Sequence, residues 1–440
     1  MKLYQTTISQ KRAMNRQPTF FEDEPDAEPT MSLGPNRSAE ANLPENLIDI
    51  WMERQSIPLC RGAIFDQTPV ALPIDSLVND QRIAGMLWGV AVGDALGHST
   101  EWKSDPDKRH RDFGTIVDHL NDPNVKAGRV SDDTQFTFWM LQRLLDDGGL
   151  NFDSMTRHLV DRRSRIVGAG RNTVAALERH HHRLAGDADL KPQMIAGDPL
   201  NCLGDTAVEG RGNGGLMRFS SIVIPYLQQP SKRLWHDAVL ACLITHGNRF
   251  AISSIVAMTE ILWYLLSVPY RQPPEGEWYF DRYLQVAADL EVGQIPDPYG
   301  NEPVPKWYQS FQGTFCDFID GPVRRAFRRG VSFRDACSLD GFGSRADILQ
   351  TVPAVLYLLA SHGDSFESTI IAAVNDTKDN DTVAAIAGAM VGAVHGKSAI
   401  RNRWITGIRS HSLDGTTDDR SIIASLIDRV HERIEKNFGQ

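Results

Sequence analysis

A run of small and apolar residues between positions 81 and 98 constrains the fold more than any other stretch of the chain. Large apolar residues recur there near one face at helical spacing, at Ile83, Leu87, Val90 and Leu96. The glycines and alanines between them would let a neighbouring helix approach closely. Further apolar runs occupy 133–145, 235–245, 250–268, 348–361, 366–374 and 381–395. Alternation typical of strands is scarce, so the sequence predicts an all-α protein.

The composition excludes several classes of protein. Of 440 residues, 41% are hydrophobic and 23% are charged, which is not typical of disordered, collagen-like or coiled-coil chains. The net charge of −10, without a basic stripe, argues against a nucleic-acid partner. The five cysteines form no CxxC motif, which argues against structural zinc and favours a reducing compartment. We therefore expect a cytoplasmic protein.

The apolar run from Phe250 to Val268 is long enough to cross a membrane, but it carries polar residues that include Glu260. An ionisable side chain is costly in the middle of a bilayer, so we interpret the run as a buried helix and expect no membrane partner. Residues 1–18 are basic but contain no apolar run. This argues against a secretory signal peptide and leaves a transit peptide as an alternative.

We divide the chain into an N-terminal extension at 1–78 and a main domain at 79–440. Residues 1–45 are rich in proline and change from basic to acidic, which predicts a flexible arm. The arm is either a solvated tail or a segment that orders on a partner. Residues 46–77 carry apolar side chains, such as Trp51, that could dock on the domain. Residues 270–343, rich in proline and aromatics, predict a loop-rich insertion that could act as a lid.

Two acidic motifs, about 250 residues apart, each open an apolar helix. The first is Ser131-Asp132-Asp133 and the second is Asp379-Asn380-Asp381-Thr382. Helix capping alone is the simpler interpretation of each, but it needs only one such oxygen. Neighbouring carboxylates repel each other unless a cation lies between them. Hard oxygen ligands suit Mg²⁺, Mn²⁺ or Ca²⁺, and two converging sets suit a two-metal site.

Three weaker motifs could belong to the same site. The turn after the small-residue helix could bring Glu101 to it as a ligand or proton-transfer group. The glycine-rich segment 212–218 could present backbone N–H groups to a diphosphate, although an ordinary tight loop has the same pattern. His246 ends a helix, where a histidine often only caps. A run of three histidines borders many charges, and we expect all three to be solvated: His180, His181 and His182.

Five motifs in chain order resemble those of the ADP-ribosylglycohydrolase family: GDALGHSTE, GRVSDDTQFT, GNGGLMRFSSI, ITHGNRFA and KDNDTVAAIAGAMVGAVHG. The resemblance covers about residues 80–400. It implies a multi-helical domain with two divalent metal ions, Mg²⁺ or Mn²⁺, at the mouth of an ADP-ribose cleft.

The resemblance also implies roles for individual residues. The implied metal ligands are Ser131, Asp132, Asp133, Asp379, Asp381 and Thr382. The implied catalytic groups are Glu101, Asp132 and Asp133. The loop around the diphosphate and distal ribose would comprise Gly212, Asn213, Gly214, Gly215, Met217 and Arg218, with His246 near the ligand. The chain has Thr377-Lys378 where the family has two glycines. Side chains there could narrow the cleft or alter acceptor choice, and Lys378 could pair with phosphate.

We therefore expect metal-dependent hydrolysis of the bond between ADP-ribose and a protein side chain, with arginine as the acceptor. Glu101 or an aspartate would take the proton of the attacking water. The alternatives are a catalytically weak module that binds ADP-ribose or a toxin, and a two-metal phosphoesterase. Some family members resemble immunity proteins, so residues 1–78 could also bind an ADP-ribosyltransferase toxin.

Overall fold

A computed structural model of the protein describes residues 46–73, 80–120, 127–185, 210–295 and 303–438. Within these ranges the chain forms α-helices and short helical turns, and it contains no β-strand. The predicted all-α class is confirmed. Several helices begin where a polar side chain accepts a backbone N–H of the first turn, as at Asn151 and Asn248.

The longer helices of the described residues are numbered in chain order. They are α1 Leu47–Glu53, α2 Asp80–His98, α3 Pro106–Phe113, α4 Asp132–Asp147, α5 Phe152–Val160, α6 Arg171–Ala185, α7 Arg233–Leu243, α8 Arg249–Ser267, α9 Trp278–Ala287, α10 Ile348–His362, α11 Phe366–Asp376, α12 Asn380–His395 and α13 Asp419–Phe438. Shorter α-helical or π-helical segments are Phe315–Phe318, Ile319–Val323, Arg324–Arg328, Phe333–Ala336 and Asn402–Thr406. Turns of 3₁₀ helix are Ala63–Asp66, Arg163–Arg165, Phe219–Tyr226, Lys306–Tyr308 and Lys397–Ala399.

Helices α2 and α12 are packed backbone to backbone at the centre of the domain. A Cβ atom built on Gly89 would lie 2.0 Å from the carbonyl oxygen of Gly388, and one on Gly93 would lie 2.2 Å from that of Ala384. Glycine is required at these points because any side chain would collide with the facing helix. The contacts run in opposite directions along the two helices, so the end of α2 meets the beginning of α12.

Helix α8 is long and apolar enough to span a membrane, but 89% of its apolar window is buried inside the protein. Its one acidic residue, Glu260, is paired with Arg282 of α9. A buried carboxylate with a hydrogen-bonded partner is tolerated in a protein core. Helix α8 is therefore a core helix that α7 and α9 cover.

The predicted domain boundary at 78 is not where the described structure separates. Residues 46–73 pack on the body, with Trp51 and Phe65 fully buried. The indole nitrogens of Trp235 and Trp263 donate to the backbone oxygens of Gln67 and Val70. The apolar side chains of this segment are buried only because they pack on the rest of the protein, so the segment belongs to the domain. The arm before residue 46 lies outside the described residues.

The stretch predicted as a loop-rich lid is largely a packed part of the core. Helix α9 and the segment 315–328 contribute buried aromatic residues, and rings of Phe280 and Phe327 lie 6.4 and 5.5 Å from the ring of Tyr357 in α10. Aromatic side chains bury large apolar areas, and here they join the segment to α10. The described residues of 270–343 are thus largely helical and packed in the core, because their aromatics face inward, and the lid stays a prediction.

The prediction that three neighbouring histidines are solvated is wrong for His180. Its side chain is buried on α6, and Nε2 lies 2.8 Å from the backbone oxygen of Ile244. Consecutive helical residues point in different directions, so the same helix leaves His182 exposed. Burial, reinforced by the charge of Arg183, lowers the pKa of His180 to about 4, so its imidazole is neutral.

Candidate functional site

A cavity of about 700 Å³ opens where the ends of α2, α4 and α12 meet the glycine-rich loop. Its volume is in the range of small-ligand pockets. Of the residues predicted to form a site, eleven line it: Glu101, Asp132, Asp133, Gly212, Asn213, Gly214, Met217, His246, Asp379, Asp381 and Thr382. Ser131, Gly215 and Arg218 lie behind the wall. The cavity therefore gathers residues from five segments that are distant in the sequence.

Asp94 of α2 fixes the first acidic motif. Its carboxylate accepts hydrogen bonds from the backbone nitrogens of Ser131 and Thr134, at 2.9 and 3.1 Å, and from the Thr134 hydroxyl. The orphan N–H groups at the start of α4 are thus satisfied by a charged side chain from another helix. The Ser131 hydroxyl donates to Asp133 at 3.1 Å. Asp94 was not among the predicted site residues, although it belongs to the GDALG motif.

The second acidic motif is held from both sides. The backbone N–H of Asp379 donates to the carbonyl oxygen of Ser344, at 2.8 Å. Its carboxylate accepts from the Asn213 amide at 2.5 Å, and the same amide nitrogen donates to Thr351 at 2.9 Å. Asn213 therefore ties the glycine-rich loop to the acidic motif, a role that a simple diphosphate loop would not require.

The two acidic motifs meet at Thr382. Its Oγ1 lies 3.3 Å from Oδ2 of Asp133 and 3.3 Å from Oδ1 of Asp379. One carboxylate oxygen from each of Asp94, Asp133 and Asp381 also lies within 4.8 Å of the others. Motifs that are about 250 residues apart thus form one acidic cluster.

His98 and Glu101 form the open edge of this cluster. Nδ1 of His98 lies 3.1 Å from Glu101 and 3.5 Å from Asp381. Burial alone would lower the pKa of His98, but the bonds to these two carboxylates outweigh it and raise that pKa to about 10. The Glu101 side chain is 39% exposed. Its partial burial and the charge of Asp381 raise the pKa of Glu101 to about 7.

The remaining carboxyl groups lie so close to one another that their ionised forms are disfavoured. Burial, followed by repulsion from neighbouring carboxylates, raises the pKa values of Asp132, Asp133 and Asp379 well above the usual range. Burial also raises the pKa of Asp94 to about 6. Asp381 is the exception, because hydrogen bonding to His98 overcomes burial and lowers its pKa. His98 supplies one positive charge to a cluster of six carboxylates.

The donor set fits divalent cations. All of its groups offer hard oxygen atoms, which Mg²⁺ and Mn²⁺ prefer. Oδ1 of Asp133 is buried and has no hydrogen-bond partner among the described residues. A buried carboxylate oxygen without a partner is costly, and a bound cation would remove that cost together with the mutual repulsion. The buried acidic residues can therefore hold metal ions.

The backbone of the glycine-rich loop packs closely against the side chain of His246. A Cβ atom on Gly212 would lie 2.8 Å from Nε2 of His246, and one on Gly214 would lie 3.0 Å from Cε1. Glycine at these positions lets the loop backbone lie directly against the imidazole ring. Arg218, which the sequence analysis assigned to the ligand, is instead fully buried and donates at 3.0 Å to the carbonyl oxygen of Gly214.

The Thr377-Lys378 pair does not line the cavity. Thr377 is buried, and its hydroxyl donates at 2.8 Å to the carbonyl oxygen of Ala373 at the end of α11. The guanidinium of Arg109 in α3, also buried, donates to the carbonyl oxygen of Thr377. Thr377 therefore does not narrow the cleft, because its side chain points into the protein and supports the acidic loop from behind, whereas the roles expected of Lys378 stay predictions.

The cavity has a second wall that no motif indicated. Its residues come from the loop before α6, the start of α6, the loop before α10 and the start of α10: Gly168, Ala169, Gly170, Arg171, Asn172, Thr173, Arg345, Ala346, Asp347 and Gln350. Arg211 of the glycine-rich segment pairs with Asp347 at 3.2 Å. Pro303 is the one described residue of the 270–343 stretch that reaches the cavity. Isolated polar residues of this kind give no sequence signal.

The ADP-ribosylglycohydrolase family model matches residues 76–439. A solved structure titled ADP-ribosylglycohydrolase-related protein complex superposes with a TM-score of 0.53 and 22% identity, over 80% of this chain and 98% of that chain. At that identity, the superposition shows a common fold.

Similar proteins share about a fifth of their residues with this chain. An uncharacterised protein of Archaeoglobus fulgidus is 23% identical over 361 residues, which are 80% of this chain and 97% of that protein. The uncharacterised protein YegU of Escherichia coli is 21% identical, over 73% of this chain and 89% of its own. The ADP-ribosylarginine hydrolase Tri1 of Pseudomonas putida is 21% identical, over 74% of this chain and 73% of its own.

Proposed function

Because the chain belongs to the ADP-ribosylglycohydrolase family, we propose that it hydrolyses the glycosidic bond between ADP-ribose and a modified arginine of a protein. One observation carries the proposal: the two acidic motifs and Glu101 converge on a cavity that the glycine-rich loop also lines. The family and the Tri1 relative support hydrolysis of ADP-ribosyl groups in general. The acceptor, the metals and the biological role are the specific parts of the proposal.

The residues proposed to hold two divalent cations, Mg²⁺ or Mn²⁺, are Ser131, Asp132, Asp133, Asp379, Asp381 and Thr382. When bound, such ions orient the ribose hydroxyls and lower the pKa of water. Asp94 and Asn213 keep the two acidic motifs in register for this role, since they bond to residues 131 and 134 and to Asp379. The cation charge also compensates the mutual repulsion of the carboxylates.

The chain's own groups bind the nucleotide and move the proton. Backbone N–H groups at residues 212–214 approach the diphosphate, because no side chain at the two glycines stands in the way. Water attacks C1″ of the ribose, and the bond from C1″ to the guanidino nitrogen breaks with its electron pair passing to that nitrogen. Glu101 takes a proton of the water and returns it to the departing guanidine. The products are ADP-ribose and unmodified arginine. Acidic groups around the cavity favour the leaving group in its protonated guanidinium form.

The test measures release of ADP-ribose from an arginine-modified protein with Mg²⁺ or Mn²⁺ and with a chelator. Asp132→Asn should reduce the rate by at least about a hundredfold, since it removes a charged group that acts on the reacting centre. The matched control is Asp146→Asn, at the exposed end of the same helix, which should retain the rate. Equal rates for both variants would refute the proposed site.

Product analysis separates the remaining alternatives. Release of inorganic phosphate instead of ADP-ribose would identify a two-metal phosphoesterase. Tight binding of ADP-ribose without turnover would identify a binding module. Parallel substrates linked through serine or asparagine test the acceptor, and faster release from either would replace arginine.

We propose further that the protein acts in the cytoplasm as an immunity factor and that its N-terminal arm binds an ADP-ribosyltransferase toxin. Four cysteines of the described residues are free thiols, which suits a reducing compartment. Since residues 46–73 pack on the body, an arm ahead of them is attached to the enzyme at a fixed point. Deletion of residues 1–45 should abolish toxin binding and leave hydrolysis unchanged. Unchanged toxin binding would refute the role of the arm.

A further inference from the structure

Arg218, Thr245 and His246 form a buried hydrogen-bonded chain behind the glycine-rich loop. Nη2 of Arg218 donates to the carbonyl oxygen of Ala241 at 2.8 Å and to Oγ1 of Thr245 at 2.6 Å. Oγ1 of Thr245 in turn lies 2.8 Å from Nδ1 of His246. All three side chains are almost completely buried. Water therefore has little access with which to rearrange these bonds.

A count of the available protons determines which group donates and which accepts in each of these hydrogen bonds. A guanidinium has donors and no acceptor, so Thr245 must accept from Arg218. The hydroxyl of Thr245 then has one proton to donate, and among the described residues its only further partner is Nδ1 of His246. If Nδ1 carried a proton instead, the threonine proton would be buried without an acceptor, which is costly. Nδ1 must accept, and the ring proton must lie on Nε2.

We propose that Arg218 and Thr245 are positioning residues that hold His246 in its Nε2–H tautomer, so that it donates a hydrogen bond to an oxygen of the bound ligand. The identity of that ligand as ADP-ribose rests on the proposed function, whereas the tautomer does not. His246 lines the cavity, and among the described residues the hydrogen bond of its ring is the one that Nδ1 makes with Thr245. The loop backbone lies beside Nε2 of this ring, and glycine is required at position 212 because a Cβ atom there would be only 2.8 Å from Nε2.

The surroundings also keep the ring neutral. Burial, reinforced by the charge of Arg218, lowers the pKa of His246 to about 3. A neutral imidazole has one donor and one acceptor nitrogen, so fixing Nδ1 as the acceptor makes Nε2 a donor under all ordinary conditions. The Nε2–H group of His246 is therefore a neutral hydrogen-bond donor with a fixed orientation at the cavity wall. Arg218 acts through this chain and through its bond to Gly214, without touching the ligand.

The first measurement reads the tautomer directly on the ligand-free full-length protein. Nitrogen-15 NMR of protein labelled at histidine distinguishes a protonated ring nitrogen from an unprotonated one, and His246→Gln identifies the signals of His246. We expect an unprotonated Nδ1 and a protonated Nε2 in the wild type. A protonated Nδ1 would overturn the proposal, whatever the enzyme proves to hydrolyse.

The second measurement compares variants by NMR and by calorimetric titration with ADP-ribose. Thr245→Val removes the hydroxyl at nearly constant volume and should release the tautomer and weaken binding about tenfold. Thr245→Ser should restore both. The control is Thr259→Val on α8, a buried threonine whose hydroxyl has no described partner, and it should change neither. An unchanged tautomer and affinity in Thr245→Val would overturn the proposal, whereas a wild type that fails to bind ADP-ribose would count against the proposed function alone.

Discussion

Gly97 packs directly against the backbone of Asp381. A Cβ atom on Gly97 would lie 2.5 Å from both the Cα and the nitrogen of Asp381, closer than side-chain atoms approach a backbone. The last turn of α2 therefore serves as the surface on which the second acidic motif is placed. Its neighbour His98 contacts the carboxylate of the same aspartate. The packing of two helices thus sets the position of a candidate metal ligand.

Gly97→Ala should lower the free energy of unfolding by about 1–3 kcal/mol through overpacking. Alanine is favoured over glycine in helices by about 1 kcal/mol, so the sign of the change separates the collision from helix propensity. The control is Gly149→Ala, where a Cβ atom would meet nothing within 4 Å. Urea denaturation measures both variants. A Gly97→Ala protein as stable as the wild type would show that α2 and α12 are not this close.

Addition of Mg²⁺ or Mn²⁺ should raise the thermal unfolding temperature, because cations bind the folded acidic cluster and not the separated motifs of the unfolded chain. A cation at about a hundred times its Kd contributes about 2.7 kcal/mol. Asp133→Asn should lose most of this stabilisation, and Asp146→Asn should keep it. Differential scanning calorimetry with and without chelator measures the effect. Equal cation-induced shifts in the two variants would place the cations elsewhere.

The buried His180 should make the protein less stable as the pH falls from about 6.5 to about 4. Between these pH values His180 is protonated in the unfolded chain but neutral in the folded protein, because burial lowers its pKa in the folded protein to about 4. The stability lost through this residue should approach about 3 kcal/mol, since each pKa unit is worth about 1.4 kcal/mol. The slope of stability against pH should become shallower in His180→Gln.

The control for this pH dependence is His182→Gln, which changes an exposed residue of the same helix. Its slope should match that of the wild type. Guanidinium denaturation at several pH values measures all three proteins. If His180→Gln and the wild type show the same slope, protonation of this histidine does not govern acid stability.

Trp51→Ala should destabilise the protein by about 3–5 kcal/mol, the usual cost of removing a fully buried aromatic side chain. The residue lies in the segment 46–73, which the sequence divided from the domain. Val70→Ala, in the same segment but 62% exposed, should cost less than about 0.5 kcal/mol. Equal small effects in urea denaturation would mean that the segment is not part of the core.

Much of the site could be predicted because its signals are local. An aspartate or serine before an apolar helix is visible in the sequence, and so is a loop of glycines. The residues that hold those motifs in place were not recognised as such, since Asp94 was not selected and Asn213 was assigned to the ligand loop. Asp94 and Asn213 act through bonds to residues 37 and 166 positions away, and no local pattern records such a pairing. Arg218 was assigned to the ligand because the family resemblance places the whole 212–218 segment at the diphosphate, whereas its side chain turns into the core.

The sequence by itself determined the all-α class, the family and the residues of both acidic motifs, because helical periodicity and short motifs depend on neighbours along the chain. Tertiary structure decided that α2 meets α12, that residues 46–73 and the 270–343 stretch join the core, and that His180 is buried. These outcomes depend on which apolar surfaces exclude water together, a choice made among surfaces that are far apart in the chain. The acidic cluster itself exists only because the glycines of α2 let two helices touch.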